Sequence, residues 1–335
     1  MRIIHKHNGK LLDLVNNFNG KKVLVVGDII LDRYMFGDVL RISPEAPIPI
    51  VTIDNEKYVP GGASNSANNI ASLGGNAFLV GVIGNDEMKE KMHSILKLNK
   101  INSDGLVVDD SRPTILKTRV VAQNQQLLRI DNEKIHFISE DIENQLIGYI
   151  KKNINQFGII VISDYGKGVV TKSLARQLII IAHQTGKKVI VDPKQKDPEF
   201  YHGAYLITPN IKEASEITKM DPKSEEDITL IGKKLLLDLG ANILITRGKD
   251  GMTLCQEKEI VHVPTKAREV YDVSGAGDTV IATIALALVA GADLVDAVVL
   301  ANYAAGIVVG KFGTATTNVQ ELKKYIEEES KGHET

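Results

Sequence analysis

Six short runs in this chain are almost unbroken in apolar, largely β-branched residues: 22–27 (KVLVVG), 77–83 (AFLVGVI), 158–163 (GIIVIS), 188–192 (KVIVD), 204–208 (AYLIT) and 242–246 (NILIT). A strand with one wet face alternates apolar and polar side chains. Continuous runs suit strands buried on both faces, as in a parallel sheet covered by helices on each side. Stretches of helical character fall between them, at 64–73, 86–98, 171–185, 211–218 and 228–239. This alternation predicts an α/β sandwich around a mostly parallel sheet. Two segments break the rhythm. Residues 34–58 carry few helix signals and include the extended run 48–53 (IPIVTI), while 114–122 and 126–131 are strand-like on either side of Gln123-Asn124-Gln125, a hairpin signal. These segments, about 33–59 and 112–132, read either as a small separate sheet that serves as a lid over a ligand cleft or as edge strands of the main sheet. No Pro/Gly/Ser-rich linker divides residues 1–335, so one domain with an inserted lid is expected.

Composition narrows the partners. The formal net charge of −2 leaves no global basic field to draw the chain to nucleic acid or an anionic membrane. A single cysteine, Cys255, rules out an intramolecular disulfide and fits a reducing compartment, where it reads as a small strand residue. The longest apolar stretch, 280–290, is too short to span a bilayer and is flanked by Asp278 and Asp293, so it reads as a buried helix. No signal-peptide pattern is visible at the start of the sequence, and a cytoplasmic location is the expectation.

The chemistry gathers at the ends of the predicted strands. Val273-Ser-Gly-Ala-Gly-Asp-Thr279 leads directly into the apolar helix. Amides of Gly275, Ala276 and Gly277 at a helix N-terminus can hold phosphoryl charge, and Asp278 can take a proton from an attacking hydroxyl. The same string also reads as a Gly-rich turn with Asp278 as a helix cap. Pro60-Gly61-Gly62-Ala63-Ser64-Asn65 offers an open backbone and, at Asn65, donor and acceptor groups for sugar hydroxyls, or equally a loop before a capped helix. Gly27-Asp28-Ile-Ile-Leu-Asp32 follows the first run, and its carboxylates suit either sugar hydroxyls or capping. Further polar groups follow later runs: Asp164 and Lys167, Lys194, Asn210 and Glu213, Thr246-Arg247-Gly248. In a parallel sheet all of these lie at one edge. Lys167, Lys194 and Arg247 supply cations for phosphates, and Asn210 and Glu213 are oxygen ligands suited to Mg²⁺ and its waters. No Gly-x-x-x-x-Gly-Lys-Ser/Thr string occurs, which argues against a P-loop enzyme.

Taken together, the Gly61-Gly62 segment, Asn210-x-x-Glu213 and Gly275-Ala-Gly-Asp278 resemble the ribokinase-like (PfkB) carbohydrate kinases, over roughly residues 21–317. Within that family, 27–34 (GDIILDRY), 41–49 (RISPEAPIP), 60–65, 124–131 (NQQLLRID), 163–168 (SDYGKG) and 269–279 are similar to the kinases that phosphorylate D-glycero-β-D-manno-heptose 7-phosphate at C1 on the way to ADP-heptose and the lipopolysaccharide core. Ser64 and Ser274 depart from the Ala and Thr of many relatives. The resemblance implies a three-layer ribokinase-like sandwich with a β-sheet lid, ATP and Mg²⁺ as cofactors together with a monovalent cation, and a homodimer formed through the lid. It implies Asp278 as base and Gly275, Ala276 and Gly277 as an anion hole. Asn210 and Glu213 would organise Mg²⁺ through water, and Thr246, Arg247, Gly248 and Asn302 would contact the nucleotide. Asp32, Gly61, Gly62, Asn65 and Asp164 fall to the sugar. Lys167 and Lys194, with one or more of Arg41, Arg119 and Arg129, fall to the substrate's own phosphate. Many such kinases are fused to a C-terminal nucleotidyltransferase; no such segment follows here, so the stand-alone form or the kinase part of a longer protein is expected. A kinase of another sugar or sugar phosphate, and a non-catalytic sugar- or nucleotide-binding regulator, are the competing readings.

Overall fold

A computed structural model describes residues 2–3, 8–123, 125–267 and 269–331. The chain runs β1 (Arg2–Ile3), α1 (Asn8–Asn16), β2 (Lys22–Gly27), β3 (Ile29–Ile42), β4 (Pro49–Gly62), α2 (Ala63–Ser72), β5 (Asn76–Ile83), α3 (Glu87–Leu98), β6 (Asn102–Val108), β7 (Ile115–Ala122), β8 (Gln125–Asn132) and α4 (Glu140–Asn153). It continues with β9 (Ile159–Ser163), α5 (Lys172–Gln184), β10 (Lys188–Asp192), β11 (Leu206–Ile207), α6 (Ile211–Thr218), α7 (Glu225–Leu239), β12 (Asn242–Thr246), β13 (Met252–Cys255), β14 (Ile260–Val263), α8 (Ala276–Val289), α9 (Leu294–Val308) and α10 (Val319–Lys331). Among these residues no helix is long and apolar enough to cross a membrane.

The continuous apolar runs do what their pattern predicts. They form a sheet in the order β1-β14-β13-β12-β11-β10-β9-β2-β5-β6, parallel except where β13 pairs antiparallel with β12 and β14. Successive residues of one strand feed opposite faces. Val23 and Val25 join a core with α1, α2, α8, α9 and α10, while Leu24 and Val26 join a second core with α4, α5 and α7. The result is three layers. The expected strand 204–208 shrinks to Leu206–Ile207, because Ala204 still closes a turn on the Tyr201 carbonyl (3.1 Å). The apolar helix expected from 280 begins at Ala276, so part of the glycine-rich string is its first turn.

The segments that break the rhythm form a second sheet, β4-β3-β7-β8, which overturns the edge-strand reading. The hairpin β7/β8 pairs antiparallel as expected; its Asn124 lies outside the described residues. A single residue, Asp28, separates β2 from β3, and β4 runs straight into α2 through Gly62. One end of the β3/β4 hairpin therefore continues from β2 and the other leads into α2, which packs on β2. Strand β2 lies between β5 and β9, the point where strand order reverses and an open parallel sheet leaves a crevice at its carboxyl edge. The lid rests on the loop before α8 and the loop after α9: Tyr34 and Phe36 meet the Phe312 ring (6.0 and 6.4 Å between centroids), which in turn meets Tyr271 (6.1 Å).

Candidate active site

At the crevice the N-termini of α2 and α8 converge on one carboxylate. Asp278, the third residue of α8, is 2% exposed. Its Oδ2 accepts from Asn65 Nδ2 (2.7 Å), its Oδ1 from Ser66 Oγ (2.6 Å), and the Tyr165 hydroxyl lies 2.9 Å from both oxygens. Thr279 Oγ1 donates to Asn69 Oδ1 (2.8 Å) and ties the two helices together one turn further in. Gly275 precedes α8 with φ 78°, and a Cβ there would stand 2.8 Å from Asn65 Nδ2. Backbone strain and the close pass of Asn65 both demand glycine. Burial pushes the Asp278 carboxyl up to about 6, against the pull of its three donors and with help from nearby Asp32. A carboxylate that ionises just below neutral pH is suited to general-base work.

On one side of Asp278 lies a cavity of about 360 Å³, lined by Asp164, Asp192, Lys194, Asn210, Glu213, Thr246, Gly248 and Gly277 among others. It is rich in carboxylates. Burial and the charges of Asp278 and Glu213 hold the Asp192 carboxyl well above its ordinary value. Burial and Asp28 raise Asp164 to about 6, although Tyr201 donates to it at 2.5 Å. Such a set suits a hard divalent cation held jointly with phosphate oxygens and water. Among the described residues no three His, Cys, Asp or Glu side chains are arranged to bind a metal directly. Asn210 and Glu213 also form a reciprocal capping box on α6: Glu213 N donates to Asn210 Oδ1 (2.9 Å) and Asn210 N to Glu213 Oε2 (3.0 Å). Glu213 Oε1 faces Lys194 Nζ at 3.0 Å.

On the other side lies the lid. Buried Asp32 pairs with Arg119 Nη1 (2.6 Å), whose guanidinium lies over the Tyr34 ring (5.3 Å). A Cβ on Gly61 would stand 2.6 Å from Asp32 Oδ2, and one on Gly62, at φ 55°, 2.6 Å from the Asp28 carbonyl oxygen. Arg129 sits directly opposite Arg119 across β7/β8 and pairs with Asp131 (2.9 Å). Lys117 meets Asp131 and Glu133, and Lys167 meets Glu133 at 2.7 Å. Arg41 lies exposed near the outer end of β3.

Several expected residues stand elsewhere. Lys194 faces the 360 Å³ cavity and Glu213 rather than the lid cations, because it follows β10, on the far side of β9 from β2. Arg247 turns away from the cavity that its neighbours Thr246 and Gly248 line: its buried guanidinium donates to Thr253 Oγ1 (3.0 Å) and pairs with Glu225. Asn302, buried on α9, donates to the Pro264 carbonyl (2.7 Å) and does not line this cavity. The Asp28 side chain does not cap a helix. Its buried carboxylate accepts the amides of Tyr165 (2.8 Å), Lys167 (3.1 Å) and Val169 (3.0 Å), so it shapes the loop after β9. Ser66, Tyr165, Asp192 and Lys117 had no role in the sequence reading. Tyr165 and Asp192 follow or end strands at the edge already singled out, and that position was the available signal.

The family model described as pfkB family carbohydrate kinase matches residues 20–321. This chain belongs to the pfkB family of carbohydrate kinases. The sugar kinase is 44% identical over 317 residues to the bifunctional protein HldE of Desulfatibacillum aliphaticivorans, covering 94% of this chain and 65% of that protein. To the bifunctional protein HldE of Pseudomonas syringae pv. tomato it is 46% identical over 315 residues, covering 93% and 65%. The kinase thus spans a little under two thirds of these relatives' length. Its fold is similar to a putative ribokinase from Agrobacterium tumefaciens (TM-score 0.76, 21% identity, 93% of this chain and 99% of that one). It is also similar to phosphofructokinase-2 from Escherichia coli in complex with potassium (0.76, 20%, 93% and 99%) and to Arabidopsis thaliana ribokinase complexed with ribose and ATP (0.71, 20%, 92% and 99%).

Proposed function

We propose that this kinase transfers the γ-phosphoryl group of ATP to the C1 hydroxyl of a sugar that already carries a phosphate, D-glycero-β-D-manno-heptose 7-phosphate, giving the 1,7-bisphosphate. The observation that carries the reading is the placement of cations on both sides of one buried carboxylate. Lys194 stands in the acidic cavity on one side of Asp278, and Lys117, Arg119, Arg129 and Lys167 gather on or beside the lid on the other. Similarity to the HldE proteins supports the choice of sugar. In this reading the nucleotide phosphates enter the 360 Å³ cavity, beside Lys194, Thr246 and Gly248. Asn210 and Glu213 would hold Mg²⁺ through water, and the ion would neutralise phosphate charge there. Asp32, Gly61, Gly62 and Asn65 hold the sugar. Asp278 takes the C1 hydroxyl proton as the C1 oxygen bonds to phosphorus and the bond to the ADP oxygen breaks, while the amides of Gly275, Ala276 and Gly277 receive the charge that develops.

The lid exposes Leu40, Ile42, Ile48, Leu128 and Ile130, which supports a homodimer formed through it. Beside Gly275, the buried Thr314 Oγ1 has no hydrogen-bond partner among the described residues, and an oxygen in that state suits a monovalent cation. One observation favours a free-sugar kinase instead. Each of the four lid-side cations already has a carboxylate partner in Asp32, Asp131 or Glu133. A panel of free and phosphorylated sugars with ATP and Mg²⁺, with product position read by phosphorus NMR, separates the two. Heptose 7-phosphate should give a new anomeric phosphate. Equal efficiency on free heptose would overturn the sugar-phosphate reading.

A further inference from the structure

The three donors on Asp278 are not equivalent. Asn65 Nδ2 gives one bond to Oδ2 and Ser66 Oγ one bond to Oδ1, both from the first turn of α2. The Tyr165 hydroxyl lies 2.9 Å from each oxygen, yet it carries a single proton, so neither of its bonds is complete. It is therefore the one donor that can settle on one carboxylate oxygen and leave the other to an incoming hydroxyl. Its place is set from behind, by a scaffold outside the cleft. The Tyr165 amide sits on Asp28 Oδ2, which shapes the whole loop, and buried Arg112 donates to the next link, the Lys167 carbonyl (3.2 Å).

We infer that Tyr165 is a positioning residue for the base: its hydroxyl fixes the plane of the Asp278 carboxylate, favours the anion, and yields one oxygen to the acceptor hydroxyl. The inference rests on Asp278 being the base. The groups that face Asp278 are Asn65 and Ser66 from α2, Tyr165 from the loop after β9, Asp32 from β3 and Asp192 from β10, with Lys194 and Glu213 beyond Asp192. Burial and the neighbouring Asp278 hold the Tyr165 phenol well above its ordinary value, so it stays a donor throughout the working pH range.

The test is the pH profile of single-turnover phosphoryl transfer at saturating ATP and sugar, for wild type, Tyr165→Phe and a protein with 3,5-difluorotyrosine at position 165. Phenylalanine keeps the ring and removes the donor. The acid limb should move up by about one to two pH units, the worth of one hydrogen bond to the anion. Fluorination makes the phenol a stronger donor and should move the limb the other way, which keeps the inference falsifiable if the phenylalanine variant does not fold. A purely structural role for Tyr165 would change rates without moving the limb in opposite directions. Limbs that coincide with wild type in the folded variants overturn the inference. Asp278→Asn measured alongside separates the two claims: near-normal turnover there removes the base and this inference together, whereas its loss with unmoved limbs removes this inference alone.

Discussion

Replacing Asp278 by asparagine should damage catalysis while sparing the fold, and the structure sets the size of both effects. Removing a general base costs roughly 10²–10⁴-fold in rate. The stability side follows from burial. The carboxyl ionises near 3.8 in an unfolded chain and near 6 in the folded protein. The sign then follows. Between those values the folded state holds a proton that the unfolded state has lost, so this group's contribution to stability falls as pH rises from about 4 to 6 and is level above 6. A gap of about two units corresponds to ~3 kcal/mol of destabilisation at neutral pH. Asparagine removes that charge, but it offers one acceptor oxygen where the carboxylate offers two. Asn65, Ser66 and Tyr165 all point donors at the site, so one of them loses its partner at a cost of about 1–3 kcal/mol. The net expectation at pH 7.5 is a variant between about equal to wild type and ~2 kcal/mol more stable, from these same terms. Its advantage should shrink as pH falls toward 4. Urea unfolding at pH 7.5 and pH 5, together with ADP release in a coupled assay, reads both quantities. Turnover within a few-fold of wild type would remove Asp278 from the chemistry. A clear loss of stability at pH 7.5 would refute the claim that the ionised carboxylate is held at a cost to the fold.

Glu213→Gln keeps the capping box, since glutamine also serves at that helix position, so stability should change by less than about 1 kcal/mol. The Mg²⁺ concentration for half-maximal rate should still rise in a metal titration, because a charged acceptor is lost. Lys194→Ala should raise KM for ATP, and Lys117→Ala that for the sugar phosphate, each by roughly 10- to 100-fold, the worth of a charge-assisted bond; steady-state kinetics with each substrate varied will show whether the two effects stay on separate substrates. Gly61→Ala places a Cβ 2.6 Å from Asp32 Oδ2 and must push that side chain off Arg119. kcat/KM for the sugar should fall by roughly 10- to 100-fold, from an overpacking cost of about 1–3 kcal/mol, with ATP binding unchanged by calorimetry.

The main sheet was legible because burial on both faces leaves a mark that needs no partner to read. The bounds of β2, β10 and β12 coincide with their apolar runs, and α6 with its helical stretch. The length of β3 was not legible. Ile29, Ile30 and Leu31 continue the apolar run of β2, so nothing in the pattern shows the chain changing sheets at Asp28. Helix α9 is buried on nearly all sides and β13 and β14 are four residues each, so neither periodicity nor length singled them out. In the site, the motifs were readable, but the contacts that their residues make across the chain were not. Ser66 meets Asp278 across 212 positions and Tyr165 across 113, and Arg247 was placed with its neighbours Thr246 and Gly248 when its side chain points to the opposite side. Asn210 and Glu213 satisfy a helix-capping pattern completely, so their spacing alone cannot separate capping from metal binding.

The raised carboxyls are not independent of one another. Asp164, Asp192 and Asp278 are all displaced upward, Asp192 partly by the charges of Asp278 and Glu213, and Lys194 is the cation that partly offsets this. Such a set costs stability when it is empty, because buried like charges repel at short range. The same set gains most from a cation that enters with its own anionic partner, since the ion's charge falls beside the carboxylates of Asp164, Asp192 and Glu213. A ligand that binds only the folded protein stabilises it in proportion to that gain. The acidity of the cavity therefore couples nucleotide and metal, so that Mg²⁺ with ATP should raise the unfolding temperature by more than the separate effects of Mg²⁺ and of ATP combined. Additive shifts in a thermal melt would place the metal away from these carboxylates and return Glu213 to a helix-capping role alone.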